Sequence, residues 1–329
     1  MFPRLRQFYR MAVYTQLAPA LESADDPLIG GQAVLEGVMM RAPHAYCIAV
    51  RKPDGTIIRD EGDAKRLSET SRVWRLPVLR GLATLGQAMS LGMKALNFSA
   101  QHAVEEEDGE GGSKPVEVPG WMMALNIAFS LGFFIFLYKF VPLVLTEQVQ
   151  GHLALVDNQA GYALVDGVIR LLLFLGFLTI ISRMKDIRRV FEYHGAEHKV
   201  VFNYESDKAL GVENAQSFKT FHPRCGTSFL MVVMLVSIGV YALIPFDGFL
   251  AKFASRLALL PVIAGLSYEV IRFAARKQGG LLSTLTAPGL WLQRITTKPP
   301  DDSQVEISIE ALEGAMRLEE EKGGELVVA

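Results

Sequence analysis

The stretch that decides the fold runs from Glu192 to Ser228, EYHGAEHKVVFNYESDKALGVENAQSFKTFHPRCGTS, and lies between two long apolar segments. It contains three of the six histidines and one of the two cysteines of the chain. Because apolar segments flank it on both sides, this stretch is predicted to be a polar loop held against a membrane. The apolar segments around it indicate the class of protein, and its His, Glu and Cys side chains are the candidates for a functional site.

Composition supports a membrane protein. Half of the 329 residues are hydrophobic, a share that makes an integral membrane protein the first class to test. The formal net charge of −2 argues against a nucleic-acid partner. The two cysteines, Cys47 and Cys225, show no spacing typical of a disulfide framework, which is compatible with a reducing compartment.

Four transmembrane helices are predicted, because a helix needs about 20 largely apolar residues to cross a bilayer. They cover residues 121–145, 162–182, 227–244 and 257–272. The fourth is short and is interrupted by Pro261 and Gly265. In the second, Asp166 and Arg170 are four residues apart and are expected to neutralise each other.

Charge in the short loops predicts the orientation. The loop 183–226 carries eight Lys and Arg residues, whereas 146–161 carries none. The sequence therefore predicts a multi-pass protein of the plasma (inner) membrane. By the positive-inside rule, its polar loop and both termini lie on the cytoplasmic side. Lys252 and Arg256 lie in the predicted loop 245–256, on the opposite side of the membrane, and conflict mildly with this orientation. The eight Lys and Arg residues of 183–226 outweigh them.

The remaining segments define the predicted domains of a mainly α fold. Residues 1–104 form a cytoplasmic or interfacial region, whose first 22 residues suit either a basic amphipathic helix on the membrane or an ordinary surface helix. Within that region, residues 46–58 predict a small β-hairpin, because Pro53-Asp54-Gly55 has turn chemistry. A further helix is predicted over 78–96, but its uncharged part, 81–93, is 13 residues and too short to span a bilayer.

An acidic linker at 105–120 separates this region from the four-helix membrane domain at 121–277. The tail, 278–329, combines an interfacial apolar stretch with a last helix that Asp302 or Ser303 can cap.

The motif H-x-x-E-H predicts a metal site. His194 and His198 are four residues apart, so a helix would place both imidazoles on one face, with Glu197 beside them. In sites of this order two histidines bind Zn²⁺, and the glutamate, which is not a ligand, takes a proton from the activated water. Glu197 is therefore the candidate catalytic base, and a divalent metal, zinc above others, is the predicted cofactor.

The third ligand stays open between Cys225, His222 and Glu269. His222 and Cys225 lie in the same loop, whereas Glu269 ends the fourth span on the same side of the membrane; it could instead pair with Arg272. If His194, His198, His222 and Cys225 all bind, the site is closed and structural; if only three bind, a position is open for chemistry.

Four strings of sequence resemble the YqhQ-like family of bacterial integral membrane proteins, generically described as predicted metal-dependent enzymes. They are residues 30–41 (GGQAVLEGVMMR), 193–199 (YHGAEHK), 222–228 (HPRCGTS) and 288–293 (PGLWLQ). The resemblance covers most of the chain and implies a membrane protein with a metal-dependent activity.

Two functions follow from these patterns. The first is a metal-dependent hydrolase facing the cytoplasm, acting on a membrane-associated substrate, with Arg224, Glu36 and Arg41 as candidate substrate-binding residues. The second is a membrane scaffold or assembly factor whose loop is braced by structural zinc and recognised by a membrane-protein partner. A transporter is a weaker third interpretation, because the predicted spans lack a polar lining.

Overall fold

The computed structural model describes residues 29–64, 71–103, 105–107, 113–115, 119–206, 208–222, 225–243, 248–276 and 281–321. The predicted helix at the N-terminus and the candidate residue Arg224 lie outside these ranges. The described chain is mainly helical with a small antiparallel sheet near its start, as predicted.

The helices are α1 (Leu79–His102), α2 (Gly120–Ile135), α3 (Val141–Val149), α4 (Gln159–Ile181), α5 (Lys185–Glu205), α6 (Val212–Gln216), α7 (Gly226–Leu243), α8 (Phe249–Ala258), α9 (Leu260–Arg276), α10 (Leu281–Thr296) and α11 (Asp302–Glu321). A π-helical turn, Phe136–Phe140, joins α2 to α3. The strands are β1 (Gly30–Val34), β2 (Gly37–Arg41), β3 (Ala45–Arg51) and β4 (Ile57–Asp63), with a separate pair, β5 (Glu105–Glu107) and β6 (Ser113–Pro115), inside the predicted acidic linker.

The predicted β-hairpin is confirmed as β3 and β4, with Gly55 at a φ of +85° in the turn. The sheet is larger than predicted, because β1 and β2 extend it in the order β1-β2-β3-β4. Their connecting turn is Leu35-Glu36, and Glu36 has a φ of +51°. A turn without glycine at its positive-φ position lacks the usual hairpin signal, which explains why this pair was missed.

Both faces of the four-stranded sheet are covered, because side chains alternate between faces along each strand. On one face, Val38, Met40 and Cys47 pack with residues of α5 and α11. On the other, Met39 and Ile48 pack with α1. The sheet therefore packs against both α5, the helix with the H-x-x-E-H motif, and the C-terminal helix α11.

Three helical segments are long and apolar enough to cross a membrane: Gly120–Val149, Gln159–Ile181 and Gly226–Leu243. A bent pair, Phe249–Ala258 followed by Leu260–Phe273 with an angle of 49° between the two halves, makes a fourth if the pair counts as one span. The prediction of about four spans is therefore confirmed as three or four. The interpretation of residues 245–256 as a loop is wrong from residue 249 onward, since those residues form α8.

Charged residues within the spans pair with one another. Asp166 and Arg170 form the predicted ion pair, and Arg256 Nη1 lies 2.7 Å from the other carboxylate oxygen of Asp166. Lys252 pairs with Glu147 at 2.6 Å. The two cations that conflicted with the charge bias thus belong to a helix and have carboxylate partners.

The stretch treated as a loop, 183–226, contains the 21-residue helix α5 and the short α6. Tyr193, Ala196 and Val200 form the apolar face that packs on the sheet, so polar composition concealed an amphipathic helix. In the tail, the cap of α11 is Asp301, whose Oδ1 accepts the N–H of Gln304 at 2.9 Å; Asp302 and Ser303 follow it.

Candidate metal centre

Helix α5 places His194 and His198 on one face, with ring centroids 4.4 Å apart. Cys225, in the segment that leads into α7, brings its Sγ to 3.2 Å from His194 Nε2. One ligand atom from each of these three residues lies within 4.8 Å of the others. Two imidazoles and a thiolate are a donor set that suits Zn²⁺.

Backbone carbonyls fix the orientation of both imidazoles. His194 Nδ1 donates to the carbonyl of Thr296 at 2.8 Å, and His198 Nδ1 donates to that of Thr220 at 2.5 Å. A proton held on Nδ1 leaves the Nε2 lone pair available to a metal, as in most protein histidine ligands. The Nε2 of His198 is buried and makes no hydrogen bond within the described ranges.

Glu197 is buried beside these rings, with 6% of its surface exposed. One of its carboxylate oxygens lies 3.4 Å from His198 Nε2. Burial raises the pKa of Glu197, while the imidazoles of His194 and His222 and a hydrogen bond from the backbone N–H of Gly31 act in the opposite direction. A carboxylate held in this way is positioned to accept a proton next to the histidine pair.

Strand β1 approaches Glu197 so closely that a side chain at residue 31 would collide with it. A Cβ at Gly31 would lie 2.5 Å from Glu197 Cγ, whereas a Cβ at Gly30 would meet nothing within 4 Å. The absence of a side chain at residue 31 therefore allows the N-terminal sheet to support the carboxylate.

Gly31→Ala is expected to lower the free energy of unfolding by about 1–3 kcal/mol, because overpacking displaces Glu197 or the strand. Gly30→Ala is the matched control and should unfold like the wild type. The thermal unfolding midpoint of the detergent-solubilised variants measures both effects, and equal midpoints for the two variants would contradict this packing argument.

His222 lies next to the centre but outside the group of three. Its ring centroid is 5.6 Å from that of His198 and 4.5 Å from that of Phe202. The side-chain amide of Gln293 binds both the N–H and the carbonyl of His222, at 2.8 and 2.7 Å. Burial lowers the pKa of His222 to about 4, so its imidazole is neutral near pH 7.

The structure does not bring Glu269 to this group. Arg80 forms an ion pair with it, donating from Nε at 2.7 Å, and the backbone N–H of Val78 donates to the same carboxylate at 3.2 Å. The partner from α1 was not foreseen, because the sequence offered only the neighbouring Arg272.

Two of the predicted substrate-binding residues, Glu36 and Arg41, lie on the N-terminal sheet and its first turn. Glu36 forms an ion pair with Arg189 on α5 (2.6 Å from Nη2) and accepts a hydrogen bond from Tyr193 at 3.2 Å. Arg41 ends β2, opposite Tyr46 of β3.

Sequence reasoning missed the residues that hold these side chains in place, namely Thr296 for His194, Thr220 for His198, Gly31 for Glu197 and Gln293 for His222. All four act through a backbone group or a neutral side-chain amide, which leaves no recognisable motif. The Gly30-Gly31 pair was the single visible signal.

The helices and the His/Cys group together define a polytopic membrane protein with a polar centre attached to its helical bundle. The family described as "Protein of unknown function (DUF1385)" matches residues 76–318, and the chain belongs to this family. The chain is 38% identical over 301 residues to "Uncharacterized protein YqhQ" of Bacillus subtilis (strain 168), an alignment that covers 89% of this chain and 93% of that protein. The resemblance to the YqhQ-like family is thereby confirmed. No solved structure matches the chain.

Proposed function

We propose that this protein is a membrane-bound hydrolase that depends on a divalent metal, with zinc as the metal. His194, His198 and Cys225 would hold the ion, and Glu197 would be the general base. The observation that carries the proposal is the pair of Nδ1 hydrogen bonds to backbone carbonyls, since a proton on each Nδ1 leaves the Nε2 lone pair of each ring available to a metal beside Cys225 Sγ.

A bound zinc ion would supply Lewis-acid activation of water and of a carbonyl or phosphoryl group. The residues of the chain then divide the remaining work. Glu197 accepts a proton at its carboxylate, and the Gly31 N–H keeps that carboxylate in place. Among the described residues three candidate ligands lie together, and a zinc ion held by three ligands would keep one position for substrate chemistry.

The substrate would be membrane-associated, because Cys225 directly precedes α7, one of the membrane-spanning candidates. The excess of Lys and Arg in 183–226 favours a plasma-membrane protein with the centre and both termini in the cytoplasm. Arg41 and Arg224 stay candidates for binding a negative group of the substrate, whereas Glu36 is already paired with Arg189.

Burial favours a second candidate function, a scaffold with a structural zinc site. His198 is 1% exposed and His222, beside it, is 4% exposed, and a site closed to substrate would be buried in this way. The two functions diverge at Glu197. Its replacement by Gln should abolish a hydrolase while leaving a scaffold intact, provided that metal content and cellular function are measured on the same variant.

Metal binding itself can be tested through the two thiols. Cys47 is buried, and burial together with the nearby Glu61 carboxylate raises its pKa to about 12, so at pH 8 it is an unreactive thiol. Cys225 is partly exposed. Native protein is therefore expected to react with iodoacetamide at Cys225 alone after treatment with a chelator, and at neither cysteine after reloading with zinc.

Mass spectrometry of the alkylated peptides measures this difference, and denatured protein, alkylated at both cysteines, is the control. Equal labelling of Cys225 with and without zinc would contradict its role as a ligand.

A further inference from the structure

A second polar cluster lies at the other end of the helical bundle. Helix α7 begins next to Cys225 and reaches Tyr241 after 15 residues, about 22 Å along the helix axis. Around Tyr241 lie three cationic side chains from three different helical segments. Lys139 Nζ is 3.2 Å from its hydroxyl oxygen, and the guanidinium carbons of Arg170 and Arg256 are 5.2 and 5.5 Å from its ring centroid.

Charges in this cluster do not balance. The cations are Lys139, Arg170, Arg256 and the adjacent Lys252, whereas the carboxylates within ion-pair distance of them, among the described residues, are Asp166 and Glu147. Four positive and two negative charges leave a formal excess of +2. The Asp166 carboxylate is shared by two arginines, and Lys139 has a tyrosine hydroxyl as its hydrogen-bond partner.

The excess charge is buried. Arg170 and Arg256 are 3% and 4% exposed, and the Nε of Arg170 is buried without an acceptor in the part of the chain that the structure describes. Uncompensated cations inside a membrane domain are energetically unfavourable. Among the described residues, the cluster therefore has more positive charge than its two carboxylates neutralise.

A cavity opens onto the same groups. Polar side chains from α4, α7 and α8, among them Tyr162, Tyr241, Lys252 and Arg256, line it together with the apolar Ala163 and Leu259. It lies beside the break between α8 and α9, where the fourth span bends by 49°. Broken helices at polar cavities are a recurring way of presenting binding groups within membrane domains.

We propose that this cavity binds a phosphate group, with Lys252 and Arg256 as direct ligands and Lys139 and Arg170 supplying the surrounding positive charge. A phosphate group carries negative charge that would offset the excess positive charge of the described residues, and guanidinium groups match its geometry. The group could be the headgroup phosphate of an anionic phospholipid or inorganic phosphate. Basic pockets between transmembrane helices bind anionic headgroups in this manner.

The test measures the thermal unfolding midpoint of the full-length protein in a neutral detergent at constant ionic strength. The additions are inorganic phosphate, phosphatidylglycerol, and phosphatidylcholine as the zwitterionic comparison. Binding to the folded state raises the midpoint. A response to phosphatidylglycerol identifies a lipid headgroup, whereas a response to inorganic phosphate alone identifies a free anion.

Two variants separate binding from a structural role. Lys139→Met should raise the midpoint without phosphate, because it relieves repulsion between cations, yet weaken the apparent affinity by about tenfold. A merely structural lysine would lower the midpoint. Lys252→Gln should also weaken the affinity about tenfold, and Lys94→Gln, on α1, is the matched control that should respond like the wild type.

Native mass spectrometry of the same preparations shows whether a phospholipid is retained from the cell and already fills the cavity. Retention by the wild type and loss from Lys139→Met supports the proposal. The proposal is overturned if the wild type neither retains phospholipid nor responds to any addition, or if both variants respond as strongly as the wild type.

Discussion

Cys225→Ser is expected to lower the zinc affinity of the purified protein by at least about 100-fold, so that zinc falls from about one equivalent per chain to a trace. Removing a residue that only orients a ligand lowers metal affinity by about 10–100-fold, and removing one of three ligands is expected to lower it further. A serine hydroxyl stays protonated at neutral pH and does not replace the thiolate. Elemental analysis by mass spectrometry of the detergent-solubilised protein measures the metal directly.

The control for this experiment is His152→Ala, which removes an exposed histidine in the connection between α3 and α4. It should keep the full equivalent of zinc. Circular dichroism of Cys225→Ser distinguishes loss of the ligand from loss of the fold. Stoichiometric zinc in the serine variant, or its absence from the wild type, would refute the proposed ligand set.

Glu197→Gln is expected to keep the metal and to reduce turnover by about 100-fold or more, since general bases contribute about 10²–10⁴ to rate. The amide has nearly the same shape as the carboxylate but cannot accept the proton. The measurement is complementation of a strain that requires the protein, together with the zinc content of the same variant. Glu213→Gln, at an exposed position on α6, is the control and should complement fully.

This result separates the two proposed functions. A scaffold with a structural zinc site would tolerate Glu197→Gln, because the amide leaves all three ligands in place. Full complementation with zinc retained would therefore reject the hydrolase and favour the scaffold. Loss of zinc from this variant would instead mean that Glu197 takes part in binding the metal, contrary to the role proposed for it.

The spacing of His194 and His198 predicted one face of a helix, and that part of the site is found as expected, because helical periodicity is a local property. Cys225 lies beside the two histidines because of the path that the chain takes into α7. The spacing of residues in the sequence does not determine that path. For Glu269 the sequence suggested a ligand that the structure does not place in the group. Its position at the end of a span suggested metal binding, but it forms an ion pair with Arg80, which is distant in the sequence.

The predicted fold class is confirmed, but two charged segments that were predicted to be loops are helices. The stretch 183–226 has the charge of a loop, yet its apolar residues recur at helical spacing and pack on a sheet that was only half foreseen. In α8, Lys252 and Arg256 made the sequence resemble a loop, whereas pairing with Glu147 and Asp166 allows these cations to lie within a bent span. Long-range ion pairs of this kind have no signature in a single sequence.

The contacts of the candidate metal centre come from distant parts of the chain: Gly31 supports the base, Thr220 orients one histidine and Thr296 orients the other. Their complete set can therefore form only after the ribosome has synthesised α10 and the N-terminal sheet has docked on α5. Loading of a metal at this centre would be a late event in biogenesis, after insertion of the spans. A chain truncated before residue 296 would keep all three proposed ligands but lack the carbonyl that orients His194.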